Sequence, residues 1–152
     1  MKKILFLTLG LLLFLGCGMK KGNFLRTVES AYDMKETEIR FSKALKDKNY
    51  QITKHTKHSD IAKKNGMYLM PTISITISYP KVSSGLLTCN QSMAIEMPMR
   101  ISIYEELGGK VHLAYTQPEY WSLKHNIKDK NCIDILLQIA QDLDVATASI
   151  EK

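Results

Sequence analysis

Few side chains in this 152-residue chain have the chemistry to bind metals or move protons, and the four histidines are the first to weigh. His58 and His125 each fall near the end of a predicted helix. Two imidazoles brought together ligate a transition metal or haem iron, or titrate near neutral pH. The plainer alternative is that each caps a helix or satisfies a buried polar group. A two-histidine set without a nearby Cys or carboxylate is incomplete for zinc. Tyr115, Tyr120 and Trp121 either wall an apolar cleft near His125 or form the rim on which the last helix packs. His55 lies three residues before His58, but on a predicted strand it need not face the same way. His112 alternates with apolar neighbours, which places it on a wet face.

The eight methionines raise a copper reading, because thioethers favour Cu(I). Met67, Met70, Met93, Met97 and Met99 cluster in sequence. Met97 and Met99, however, share the core parity of one predicted strand, which fits packing or a soft contact wall. Glu96, Glu105 and Glu106 have no spacing that pairs an acid with a base. Ser83-Ser84-Gly85 lacks the nucleophile-elbow pattern, and no phosphate-binding loop is present. These residues favour binding over catalysis, and they name no cofactor.

Cys17 is the cysteine with the clearest context. Lys2 and Lys3 form a basic head, and residues 4–14 carry only Leu, Ile, Phe, Thr and Gly. That run is too short to span a bilayer, which takes about 20 apolar residues as a helix. It fits the ~7–15-residue centre of an export signal. Leu15-Gly16-Cys17 then resembles the bacterial lipoprotein box, departing from it at Phe14. The resemblance implies that residues 1–16 are removed and that Cys17 carries lipid. More than one acyl chain gives stable anchoring. The domain is thereby expected in a bacterial cell envelope, facing the periplasm. Gly18 gives no inner-membrane retention signal, so the outer membrane is the preferred site.

Residues 18–23, "GMKKGN", read as a tether that keeps the domain within about 20 Å of the membrane at ~3.3–3.6 Å per residue. Residues 24–152 then form a single domain. Loss of 1–16 leaves 136 residues, enough for one core, with 19 basic against 15 acidic groups. That mild positive balance suits anionic surfaces such as lipid head groups. It is too diffuse, and too poor in basic–aromatic platforms, for nucleic acid. Cys89 and Cys132 remain. In an exported chain they either pair as a disulfide or stay as two buried thiols.

The elements that would position these residues are legible. Residues 24–30 read as a strand. Asp33 and Glu36 form a capping-box pattern for a helix that ends near Asn49, with Ile39, Ala44 and Leu45 as a partial apolar stripe and Phe41 off to one side. Residues 50–56 read as a second strand. A short helix follows, capped by Ser59 and stopped by Gly66. Ile73-Ile75-Ile77, Met99-Ile101-Ile103 and Val111-Leu113-Tyr115 each alternate with other residues, marking three strands with one buried face. Gly108-Gly109 is a hairpin turn, and Pro118 suits a first helical position. The last helix shows Ile133, Leu136, Leu137, Ala140, Leu143 and Ile150 on one side. Half-buried strands plus these helices make a two-layer α+β domain, an antiparallel sheet with helices on one face.

The order of landmarks resembles the domain-of-unknown-function 302 family. "HSDIAKKNGMYLMPTISITISYPKVSSGL" carries its His-containing helix start, the Gly, Pro71-Thr72, Tyr79-Pro80-Lys81 and Gly85. "MAIEMPMRISIYEELGGKVHLAYTQPEYWSLKHNI" carries Met97-Pro98, Gly109-Lys110-Val111, Tyr115, Pro118 and His125. Lys57, Leu86 and Lys124 stand where the family tends to have an acid, a Thr and an Arg. The resemblance covers residues 24–150. It implies a β-α-β(4)-α arrangement like the TATA-binding-protein-like folds, a tendency to dimerise, and no established reaction. The leading expectation is a lipid-anchored domain that binds a small ligand or an envelope protein. The alternative is a metal or haem handling protein using His58 and His125.

Overall fold

The computed structural model describes residues 24–151. The expected signal, Cys17 and the expected tether lie outside them. Five strands and five helices follow one another as β1 (Leu25–Glu29), α1 (Met34–Asp47), β2 (Gln51–Lys57), α2 (His58–Lys64), β3 (Thr72–Ser78), α3 (Pro80–Cys89), a 3-10 turn (Gln91–Ile95), β4 (Met99–Glu105), β5 (Val111–Thr116), α4 (Pro118–Lys124) and α5 (Lys130–Ala148). The strands form one antiparallel sheet in the order β1-β5-β4-β3-β2. This is the two-layer α+β architecture, β-α-β(4)-α, with α2, α3 and α4 added to its connections.

Period two decides which face is covered. Ile75, Ile77, Met99, Ile101, Ile103, Val111, Leu113 and Tyr115 point to one side and are buried. They meet Phe41 and Leu45 of α1 and Leu136, Ile139 and Leu143 of α5. Ser74, Thr76, Arg100, Ser102, Tyr104, His112, Ala114 and Thr116 hold the alternate positions, which no helix covers. The β4–β5 hairpin turns through Gly108 and Gly109 at φ of 103° and 78°, a region costly for any residue with a Cβ.

Local capping explains most helix starts. The Asp33 carboxylate accepts from the Glu36 N–H at 2.8 Å and opens α1. Glu36 does not return the bond to complete the box; it pairs with Arg40 at 2.7 Å. Asp129 caps α5 by accepting from the Cys132 N–H at 3.1 Å. Asn49, at φ 66°, leaves α1 in the left-handed region that Asn tolerates.

Four sequence expectations are corrected. Ile39 is half exposed, and Thr37, Phe41 and Leu45 face the core instead, four residues apart. On α5 Leu137 is exposed and Ile139 is buried, because the contact line follows Leu136, Ile139, Ala140 and Leu143 around the helix. Ser59 is not a cap. Helix α2 begins at His58, with Lys57 as the cap residue and no side-chain cap bond. Met97 precedes β4 rather than joining its core parity, although it packs on the core margin.

Helix α3 has no counterpart in the sequence reading. "KVSSGLLTC" is poor in helix formers and lacks a clear stripe, since Ser and Gly disfavour helix interiors. Packing overrides propensity here. A Cβ on Gly85 would stand 3.2 Å from Ile135 Cδ1 of α5, so the glycine lets the two helices approach. Cys89 at the end of α3 and Cys132 at the start of α5 are joined as a disulfide.

Candidate functional site

The sheet face opposite the helices carries a concavity of about 660 Å³. Its floor follows from register. Thr27 pairs with Ala114, Ala114 with Ser102, Ser102 with Ser74, and Ser74 with Thr56. One row of five small side chains therefore crosses all five strands. On one side of it stand Lys54, Thr76 and Arg100 in a second row. On the other, Tyr104 stacks on His112 with ring centroids 5.5 Å apart. Small residues between larger ones make a trough in an otherwise pleated surface. Its volume lies in the usual range of ligand sites, ~300–1,000 Å³.

His58 lines this trough, with Nε2 2.9 Å from Ser74 Oγ. His55, three residues earlier, points to the opposite side of β2, where Nδ1 lies 2.7 Å from Glu38 Oε1 of α1. His112 lies on the helix-free face. Its Nε2 is 3.4 Å from Glu106 Oε2, an ion-pair distance without hydrogen-bond geometry.

His125 lies elsewhere, buried at the end of α4. Its Nδ1 is 2.6 Å from Ser92 Oγ and its Nε2 is 2.9 Å from Glu96 Oε1. Lys124 Nζ donates to the same Glu96 oxygen at 2.6 Å. Burial alone would raise the Glu96 carboxyl, but hydrogen bonds from Lys124 and His125 outweigh it and hold the group below its ordinary value. An ionised Glu96 accepts from Nε2–H, and the Ser92 hydroxyl, which can donate or accept, complements Nδ1. Asn90 Nδ2 also donates to the His125 carbonyl at 2.8 Å. Four hydrogen bonds therefore tie the end of α4 to the 3-10 turn and its flanking residues. The hydrogen-bond order is that of a serine–histidine–carboxylate relay. The His125 and Glu96 side chains are both largely buried, and the cluster reads as positioning.

The structure thus separates the two histidines. His58 and His125 share no partner. Among the described residues no group of three or more His, Cys, Asp or Glu is arranged to hold a metal ion. The aromatics divide as well. Tyr115 reaches the helix side, with its hydroxyl 3.5 Å from Asp144 Oδ1. Burial first and Asp144 second push that hydroxyl up to about 12. Tyr120 stacks on Phe24 at 3.8 Å between centroids. Trp121 is buried and, with Glu96 and Arg100, borders a smaller cleft of about 280 Å³. Met93 and Met99 are core residues, whereas Met67 is exposed. The sequence gives Glu96 no pairing and does not single out Ser92, because 29 and 33 residues separate them from His125 and no local pattern links them.

Comparison with known proteins agrees on the fold. The crystal structure of an uncharacterized conserved DUF302 protein from Bacillus stearothermophilus superposes with a TM-score of 0.76 at 19% identity, covering 84% of this chain and 98% of that one. Curated relatives include proteins named fluoride-specific ion channel FluC 1, from Brucella suis biovar 1 and Brucella abortus biovar 1. Each is 27% identical over 101 residues, 66% of this chain. The match spans only 40% and 37% of those longer proteins, and no helix among the described residues of this chain is long and apolar enough to cross a membrane. The model of the family described as "domain of unknown function DUF302" matches residues 26–150, from the second residue of β1 past the end of α5. That match takes in all of the sheet but its first residue and every helix described above, and the chain belongs to the DUF302 family.

Proposed function

We propose that this protein is a lipid-anchored envelope domain that binds a small ligand on the helix-free face of its sheet. Residues 1–16 are removed, Cys17 carries the anchor, and residues 17–23 tether the domain on the periplasmic side, preferably of the outer membrane. The single observation that carries the binding reading is the trough of about 660 Å³ over the Thr27–Ala114–Ser102–Ser74–Thr56 row. Antiparallel sheets commonly leave one face to solvent; here that face is concave and lined by hydroxyls. The Cys89–Cys132 disulfide supports an oxidising compartment, where such bonds persist. A homodimer belongs to the same proposal, formed through another surface. The channel activity named for the Brucella proteins stays with those longer chains.

Native mass spectrometry of the protein taken from its own envelope tests the reading. The expected spectrum shows the chain without residues 1–16, an acyl mass on Cys17, and a bound small molecule. Ser102→Trp or Thr56→Trp fills the trough and removes that molecule while the acyl mass stays. Cys17→Ser abolishes the acyl mass. An unbound wild-type protein, or a ligand retained by both tryptophan variants, overturns the binding site. An unprocessed, unacylated wild-type chain overturns the anchor.

A further inference from the structure

The charge of the trough is one-sided, and its ligand class follows from that. Its lining holds Lys54, His58 and Arg100, the hydroxyls of Thr27, Thr56, Ser74, Thr76, Ser102 and Thr116, and no carboxylate. Lys54 and Arg100 flank Thr76 from the two neighbouring strands. At ~4.8 Å per strand their Cα atoms are about 10 Å apart, a span that two long side chains close around one anionic group.

Neither cation is neutralised from within. The ion pairs of the described residues engage Arg26, Arg40, Lys48, Lys110, Lys124 and Lys130, and leave Lys54 and Arg100 without a carboxylate partner. Residues 1–23 contain no Asp or Glu that could supply one. On a chain with 15 acidic side chains, a carboxylate-free cavity with two unpaired cations and a histidine is built for negative charge. Serine and threonine hydroxyls donate to anionic oxygens, and an arginine fork binds carboxylate or phosphate through two bonds. A metal cation meets the wrong charge here. A face-to-face second copy would set one cationic, carboxylate-free trough against another.

We infer that the trough takes a small organic anion, a carboxylate or phosphate held between Lys54 and Arg100, with His58 and the hydroxyl row as further donors. Tyr104, stacked on His112, lines the same trough and offers a flat apolar contact for the rest of the molecule. This inference rests on the proposal that the trough is the binding site.

The test uses the full chain in detergent, titrated with 1-naphthoate, inorganic phosphate and the neutral 1-naphthamide, with binding read from shifts in the NMR signals of His58 and Tyr104. Naphthoate and phosphate are expected to bind and the amide not to. Lys54→Gln and Arg100→Gln each weaken naphthoate by about tenfold, the loss of one charge-assisted contact, without loss of the folded spectrum. If naphthoate and the amide bind equally, and Ser102→Trp abolishes both, the trough is a binding site but the anion inference fails. If no probe shifts either residue, the anion inference fails, and the envelope ligand experiment alone decides the binding site. If an oligonucleotide displaces naphthoate at far lower concentration than phosphate does, a polymer rather than a small anion is the occupant and the inference fails.

Discussion

Nε2 of His125 lies 2.9 Å from Oε1 of Glu96, across 29 residues of sequence. The contact joins α4 to the residue that closes the 3-10 turn, and only 4% of the histidine side chain and 12% of the glutamate side chain remain exposed. The pair is the hinge pin of this end of the sheet: Ser92, Asn90 and Lys124 all attach through it.

Removing either partner leaves the other buried without its bond. His125→Ala and Glu96→Ala are each expected to cost about 1–3 kcal/mol, in the range for stranding a buried polar or charged partner. Urea unfolding of both variants and the double variant checks this. The double variant should cost clearly less than the sum, since the two residues share one interaction.

The same carboxylate sets an acid limit. Its folded value lies below the ordinary one, so ionised Glu96 contributes stability that is present above its unfolded value of 4.5. That contribution is lost as pH falls through the lower folded value. Urea midpoints measured from pH 6 downward should therefore fall less steeply for Glu96→Gln than for wild type below about pH 4.5. Parallel curves would show that Glu96 titrates alike in both states.

The disulfide closes a loop with a sequence separation of 43. In the chain-entropy account such a loop stabilises by about 4 kcal/mol. The double variant Cys89→Ser, Cys132→Ser is expected to lose stability of that order, and reduction of the wild type should do the same. A wild type indifferent to reductant would show that the bond is not formed in solution.

Two neighbouring apolar positions on each long helix separate core from surface. Phe41→Ala is expected to cost about 3–5 kcal/mol and Leu136→Ala about 2–5 kcal/mol, because both side chains are at most 1% exposed. Ile39→Ala and Leu137→Ala, at 51% and 43% exposure, should stay within about 0.5 kcal/mol. Thermal or denaturant unfolding of the four variants gives the comparison.

The order of elements was legible because each rests on a local rule. Alternation along Ile73–Ile77, Met99–Ile103 and Val111–Tyr115 forces strands with one wet face, and Gly108-Gly109 forces the turn between two of them. Asp33 marks a helix start by itself. Helix α3 was not legible: its Ser-Ser-Gly centre argues against a helix, and packing against α5 and the core stabilises it. The buried sides of α1 and α5 were partly misread. A stripe has several apolar neighbours, and the partner sheet decides which of them it covers.

The sequence by itself determined the fold class and the family landmarks, since side-chain period and capping chemistry act over a few residues. It also showed that Lys54, Arg100, His58 and many serines and threonines exist, but not that they meet. Tertiary structure decided that. The antiparallel register of five strands set five small side chains in one row and put two unpaired cations beside them. The same folding separated His58 from His125 and gave His125 to Ser92 and Glu96. Register and long-range packing depend on the whole sheet closing at once, and no window of the chain contains that information.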